Sequence, residues 1–350
     1  MEGICRLRRM LGVMKRPMGE LELIDRIRAG AGSRGGAGVA LGIGDDCAIL
    51  RPPKGHELLV TTDLSLEGRH FRREWHPAES VGHRALARGL SDLAAMGAKP
   101  LAAFLSLGLP GEMTASRAGL RWVDGFFRGL GRLAEEIGVP LAGGDTSEAA
   151  GEQVLADIVL VGSAPRGRSL RRSGGKPGDL LYVTGTLGGS AMELAELRAG
   201  RRRRSGEHPH VYPAPRVRVG LELVRRRLAS AAIDLSDGMS TDLGHLCRES
   251  GLGAEVWEER LPVARGASLE QVLHGGEDYE LLFAAPARAR VPRTIGGVSV
   301  TAIGRLVRGK AVWLMASDGK RQALKPGGWE HFGGSEAKAP GTSAGKPLKK

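Results

Sequence analysis

The chain has 350 residues, with 51 Lys and Arg against 39 Asp and Glu for a formal charge of +12, and it holds 54 Gly, 18 Pro and only 3 Cys. Two domains fit that length, and 41% hydrophobic with 26% charged residues excludes wholesale disorder and a collagenous repeat. No apolar run approaches the roughly 18 residues of a membrane helix, and Cys5, Cys47 and Cys247 form neither a CxxC pair nor a disulfide framework, so a reducing, cytoplasmic compartment is expected.

Residues 1–17 are basic and lack both an apolar h-region and a small-residue cleavage site, so they read as a disordered extension rather than a secretory signal. A start at Met14 or Met18 would remove most of them. Leu21, Ile24 and Ile27 predict a helix, which a Gly-rich stretch at 30–38 breaks. That stretch holds a formal GxGxxG, Gly30 to Gly35, but a dinucleotide fingerprint follows a strand and this one follows a helix. Next come the short apolar VALGIG and LLVTTD (58–63), a strand ending in a carboxylate. Val81, Leu86, Leu90 and Leu93 predict a helix closed by Gly97, and LAAFLSLGLP (101–110) a buried strand. Trp122 to Ile137 reads as a helix with Trp122, Phe126, Leu130 and Leu133 inside, followed by strands VPLAGGD and VLADIVLVGSA.

Around 165–179 the composition turns to Arg, Gly and Pro, which places a domain boundary there: one domain over 18–164 and a second over 165–335. The second opens with strand LLYVTG, the turn GTLGGS and helix AMELAELRA, a strand-turn-helix unit that offers backbone N–H groups to an anion. An exposed loop at 200–215, a helix over Arg216–Leu228, the strand AAIDLSDG and a helix over 239–249 follow. Strands are expected near Glu255–Trp257, Glu280–Ala284, Val298–Ile303 and Ala311–Met315, and residues 336–350 form a disordered basic tail. Strands alternate with helices, so the fold class is α/β or α+β. Residues 1–17, Arg201 to Arg204 and residues 333–350 carry 11 of the 12 surplus positive charges. The body is near neutral, and the surplus reads as solvated appendages, not as a nucleic-acid or membrane surface.

The chemistry lies in carboxylates at strand ends and in Gly turns: Asp45 and Asp46 in GIGDD, Asp63 in TTD, Asp92 in LSD, Asp145 in AGGD, and Asp234 and Asp237 in DLSD. Any one of them reads equally as a turn former or helix cap. If several converge, their repulsion raises pKa values unless cations share the site, and hard oxygen ligands of this kind select Mg²⁺ carrying a polyphosphate. No P-loop, kinase HRD or DFG set, HExxH or GxSxG is present. His70, His83 and His245 lack metal-ligand spacing, and Cys47 has nothing basic nearby to activate it.

Ten motifs in order, GELELI, GIGDDCAIL, TTDLSLEGRHF, LARGLSDLAAMGAKP, LAGGDTS, RRSGGKPGD, VTGTLGGS, AIDLSDGMSTDLGH, HGGEDYELLF and GWEHF, resemble the thiamine-monophosphate kinase family from about Met18 to Phe332. Its superfamily also holds aminoimidazole ribonucleotide synthetase, selenophosphate synthetase and the hydrogenase maturation ATPase. The resemblance implies a two-domain fold in which the N-terminal mixed sheet contributes to a β-barrel across a homodimer and the C-terminal domain is an α/β layer. It implies ATP as co-substrate, several Mg²⁺ ions, and in-line γ-phosphoryl transfer to thiamine monophosphate without a phosphoenzyme. The implied metal ligands are Asp46, Thr61, Thr62, Asp63, Asp92, Asp145, Asp234 and Asp237. Nucleotide contacts fall on Gly144, Asp145, Arg172, Ser236 and Phe127, and substrate contacts on His70, Glu277 and Trp329. Asp63, Asp145 and Arg172 are the residues expected to carry catalysis.

The chain departs from the family's usual GGDTT and TGTxGDS at Ser147 and Gly189, the second of which removes a carboxylate. Two rival readings are another ATP-dependent enzyme of the superfamily, such as a ribonucleotide cyclo-ligase or a selenophosphate synthetase, and a basic nucleic-acid-binding protein.

Overall fold

Side chains on a strand alternate between its two faces, and the stretch around TTD uses both. A computed structural model describes residues 18–31, 38–201 and 207–329. The expected basic ends, the body of the GxGxxG stretch and Arg202 to Arg204 lie outside the described residues. The first half runs α1 (Glu20–Ala31), β1 (Val39–Leu41), β2 (Ile49–Leu50), β3 (His56–Leu66), α2 (Ala78–Ala95) and β4 (Lys99–Leu109). It continues through α3 (Gly111–Ala115), α4 (Arg117–Ile137), β5 (Leu141–Glu148) and β6 (Leu155–Pro165).

β3, β6, β4 and β5 form one mixed sheet in that order. The β4 and β5 pair is parallel and therefore needs a crossover, which α3 and α4 supply. On β3, Leu59, Thr61, Asp63 and Ser65 turn inward, whereas Leu58, Val60, Thr62 and Leu64 are exposed on the outer face.

The apolar spacing of α2 predicts one buried face, yet the helix is buried around most of its circumference, Ser80, Arg84 and Ser91 included. It lies between the sheet, α4 and a helix of the second half, α6 (Val217–Arg225). Glycines permit this density. A Cβ at Gly82 would stand 1.9 Å from the Phe126 carbonyl oxygen, one at Gly129 1.8 Å from that of Glu79, and one at Gly220 2.0 Å from that of Ala94. Gly82→Ala must therefore push α2 and α4 apart, and it is expected to cost about 3 kcal/mol in urea denaturation. On α4, Phe126, Leu130 and Leu133 are buried as the periodicity requires; Trp122 is only half-buried and stacks on Phe126.

The second half holds β7 (Leu180–Thr184), α5 (Gly189–Arg198), α6, β8 (Ala231–Asp234), α7 (Met239–Ser250), β9 (Gly253–Trp257) and α8 (Leu269–His274). Then follow β10 (Leu281–Ala285), β11 (Thr294–Ile295), β12 (Val298–Val307), β13 (Val312–Met315) and β14 (Arg321–Ala323). The sheet order is β14-β13-β9-β12-β7-β10-β8, with β11 paired to β12. All the strands expected in this half form. β11, β14 and α8 are too short for a periodic signal.

One apolar core runs from α2 and α4 into Leu223, Phe283 and Val300 of the second half, and another lies within that half around Leu243, Leu246 and Ile303. The fold is thus two-domain with mixed α/β content. Neither sheet closes on itself among the described residues, and no helix among them is long and apolar enough to cross a membrane.

Candidate active site

Arg84, Arg88 and Asp92 are spaced four residues apart on α2, so they share one face of the helix. That face meets the inner side of β3. Thr61 Oγ1 donates to Asp92 Oδ2 at 2.5 Å, and Arg88 Nη2 pairs with Asp63 Oδ1 at 2.6 Å. β8 delivers Asp234 against the same helix, where Ser91 Oγ donates to its Oδ2 at 2.7 Å. A cavity of about 520 Å³ opens here, lined by Thr61, Asp92, Arg172 and Asp234 among others.

These carboxylates are close together and poorly hydrated, and their proton affinities respond. Burial and the charge of Asp92 push Asp234 up to about 7, against the pull of Ser91 and Arg172. Burial pushes Asp63 up to about 6 in spite of Arg88. Asp92 moves upward for the same reason, opposed by Thr61, Arg172 and Arg88. Hard oxygen donors buried this close together suit a divalent cation.

The turn after β8 extends the group. Asp242, buried on α7, accepts the backbone N–H of Asp237 at 3.0 Å and of Gly238 at 3.1 Å, and burial together with Asp234 and Asp237 pushes it up to about 8. Asp237, Asp242 and His245 place ligand atoms within 4.8 Å of one another. Two of the three residues assigned to the substrate by resemblance, Glu277 and Trp329, border this turn. The Trp329 N–H donates to the Asp237 carbonyl at 3.0 Å while 46% of the residue stays exposed, and the Glu277 N–H donates to the Ser236 carbonyl at 2.7 Å.

Glu277 pairs with Arg84 at 2.8 Å and with His210 at 3.3 Å. Burial alone would raise its pKa, but Arg84, aided by Arg88, outweighs it and holds it at about 2. Burial and Arg84 push His210 itself well below the usual imidazole range, so that ring meets Glu277 uncharged at neutral pH. Arg84 also donates to the His70 carbonyl at 3.1 Å and to that of His210. Glu277 and Tyr279 adopt left-handed φ values of 65° and 50°, strain that non-glycine residues keep only where the surroundings enforce it.

The expected carboxylate set divides. Thr61, Asp63, Asp92 and Asp234 meet on the inner face, with Asp237 at the turn beyond β8. Asp46 and Asp145, with Gly144 and Phe127, instead line a cavity of about 810 Å³ whose apolar wall includes Leu21, Ile24 and Ile27 of α1. Strand register explains the division. Asp63 lies in the row of Ile158, Leu105 and Gly144, whereas Asp145 lies in the row of Ser106, Asp157 and Leu64 on the outer face. β3 and β5 are opposite edges of the sheet, about 14 Å apart at three strand spacings. Thr62 points outward, on the face that carries Asp145 and away from Thr61 and Asp63.

The GTLGGS turn also differs from expectation. Its anion is the chain's own: the Asp278 carboxylate accepts the N–H of Gly188 at 2.7 Å and of Ser190 at 3.1 Å. Gly189 is packed beside Pro209 and Ala264, where a Cβ would lie 3.1 and 3.3 Å from them. Sequence reading missed Arg84, Arg88, Asp242 and His210. The detectable signal was the charged stripe at four-residue spacing in an otherwise apolar helix.

Comparison with known proteins follows the same lines. Residues 44–164 match the AIR synthase related protein, N-terminal domain, and residues 176–315 the corresponding C-terminal domain. The thiamine-monophosphate kinase of Salmonella typhimurium is 40% identical over 337 residues, covering 90% of this chain and 98% of that protein. The crystal structure of thiamine-monophosphate kinase from Stenotrophomonas maltophilia K279a is 34% identical with a TM-score of 0.72, over 89% of this chain and 100% of that one. A ThiL structure complexed with AMPPCP and TMP is 31% identical with a TM-score of 0.68, over 90% and 97% of the two chains.

Proposed function

The chain belongs to the thiamine-monophosphate kinase family, and from that membership we propose that it transfers the γ-phosphoryl group of ATP directly to the phosphate of thiamine monophosphate. The acceptor's phosphate oxygen forms the new P–O bond as the bond between the β and γ phosphates breaks, and its electron pair leaves with ADP. The observation that carries this reading is the meeting of Thr61, Asp63, Asp92 and Asp234 beside Glu277 and Trp329 in a chain so similar to these kinases.

A phosphate monoester has a second pKa of about 6, so the acceptor is already ionised at neutral pH and needs no base. The difficulty is bringing two polyanions together. Arg172, at the cavity wall with Asp92 and Asp234, supplies fixed positive charge toward the phosphates. Thr61, Asp63, Asp92, Asp234 and Asp237 would hold Mg²⁺, which when bound offsets phosphate charge and orients the transferring group. Phe127, Gly144 and the apolar face of α1 suit the nucleobase, with Asp46, Asp145 and Ser236 toward the phosphates. His70 and Glu277 position the vitamin, and Trp329 stacks against its cationic ring.

The outer face of β3 exposes Leu58, Val60 and Leu64, which are 48%, 63% and 41% accessible. An apolar stripe of that kind supports a homodimer that covers it and brings the sheet edges into a shared barrel. Cys47 is exposed and Cys247 buried, both as free thiols, in keeping with a cytoplasmic enzyme.

The direct test is incubation with Mg²⁺, ATP and thiamine monophosphate, reading thiamine diphosphate, with free thiamine as control acceptor. Phosphorylation of free thiamine in place of its monophosphate would overturn the reading. Trp329→Ala is expected to raise the KM for thiamine monophosphate about tenfold, one cation–π contact, with a smaller change in kcat. Steady-state kinetics decide it.

A further inference from the structure

α2 carries two buried arginines one turn apart, and their hydrogen bonding is unequal. Arg84 is engaged through both Nη1 and Nη2, with Glu277 and with the carbonyls of His70 and His210. Arg88 pairs through Nη2 with Asp63 at 2.6 Å, and its side chain is 13% exposed. Its buried Nε and Nη1 find no hydrogen-bond acceptor among the described residues. Those two nitrogens carry three of the five guanidinium N–H bonds. A buried donor left unmet costs about 1–3 kcal/mol, so a guanidinium in this condition calls for an acceptor that is not part of the chain.

The position limits what that acceptor is. Arg88 lies within electrostatic reach of Asp63, Glu277 and Tyr279, and Asp92 follows it by one turn on the same helix face. It therefore stands between the cation-binding carboxylates and Glu277, the residue assigned to the vitamin. A planar, permanently charged fork with free N–H groups recognises an oxyanion, and phosphate above all. We propose that Arg88 grips the acceptor phosphate of thiamine monophosphate through Nε and Nη1, while Nη2 keeps its pairing with Asp63. Arg88 then distinguishes the phosphorylated vitamin from the free one and holds the attacking oxygens toward the γ-phosphate. This assignment rests on the kinase reading above.

The test separates the two. Calorimetric affinities for thiamine monophosphate and for free thiamine are measured on wild-type protein, Arg88→Gln and Arg88→Lys, with KM and kcat for the phosphorylated acceptor. The wild type is expected to prefer the monophosphate at least tenfold. Arg88→Gln should bring that ratio close to one with thiamine affinity unchanged, and Arg88→Lys, which keeps a cation beside Asp63, should recover part of it. Variants that retain the wild-type ratio, or a wild type that binds both compounds equally, overturn the assignment. Failure of wild-type protein to make thiamine diphosphate while it still prefers the monophosphate overturns the kinase reading instead. Should Arg88→Gln fail to fold, Arg88→Lys alone decides, since its ratio must still fall.

Discussion

Asp234→Asn is expected to abolish turnover and at the same time to raise the melting temperature of the ligand-free protein at pH 8. The two effects share one cause. Asp234 is 4% exposed, and burial together with Asp92 raises its pKa from 3.8 to about 7. A carboxyl that holds its proton more firmly when folded contributes most below pH 3.8. That contribution is lost as pH rises toward 7, because the unfolded chain ionises first, and above pH 7 the folded protein bears the whole cost. Asparagine keeps the shape and the acceptor for Ser91 but cannot ionise, so it removes a penalty of about 2–4 kcal/mol at pH 8 and almost none near pH 3. Catalysis moves the opposite way, since the lost charge is one that a cation would use. Melts at two pH values and a rate measurement check both, and equal melting temperatures with a near wild-type rate would refute the account. Asp63→Asn and Asp145→Asn should each lower turnover by orders of magnitude in a folded protein. A near wild-type rate for Asp145→Asn would confine the chemistry to the inner-face group.

Arg84→Met is the second large effect, and here stability falls. Arg84 and Glu277 are 3% and 23% exposed in their side chains, and the ion pair is the main attraction holding Glu277 ionised against burial. Removing the arginine leaves a partly buried carboxylate and two backbone carbonyls without their donor, which costs about 3 kcal/mol in urea denaturation. Glu277→Gln in the same chain should recover a substantial part, because it removes the uncompensated charge. Strict additivity of the two changes would mean that the pair is not the source of the loss. Arg84 also holds the Glu277 side chain in place beside the Ser236 turn, so the variant should also weaken acceptor binding.

Much of the fold was readable because its signals are local. The period of Val81, Leu86, Leu90 and Leu93 placed α2, and the runs LLVTTD and VLADIVLVGSA placed β3 and β6. β1, β11 and β14 went unread because two- and three-residue edge strands carry no period. The burial of Arg84 on α2 was invisible for a different reason. It depends on the segments that carry His70, His210 and Glu277 closing over it, contacts among segments far apart in the chain.

The amino-acid order alone determined the helices and most strands, the carboxylate-bearing motifs and the kinship they imply, because each is set within a few neighbouring residues. Only the tertiary structure decided that Thr61, Asp63, Asp92 and Asp234 meet while Asp46 and Asp145 lie elsewhere, that Asp278 fills the anion seat of the glycine turn, and that Arg88 has N–H groups to spare. Strand register and the alternation of faces govern those outcomes. A one-residue shift would exchange Asp63 for Thr62 on the inner face, and that register is fixed by pairing between β3 and β6, whose residues come together across the whole first domain.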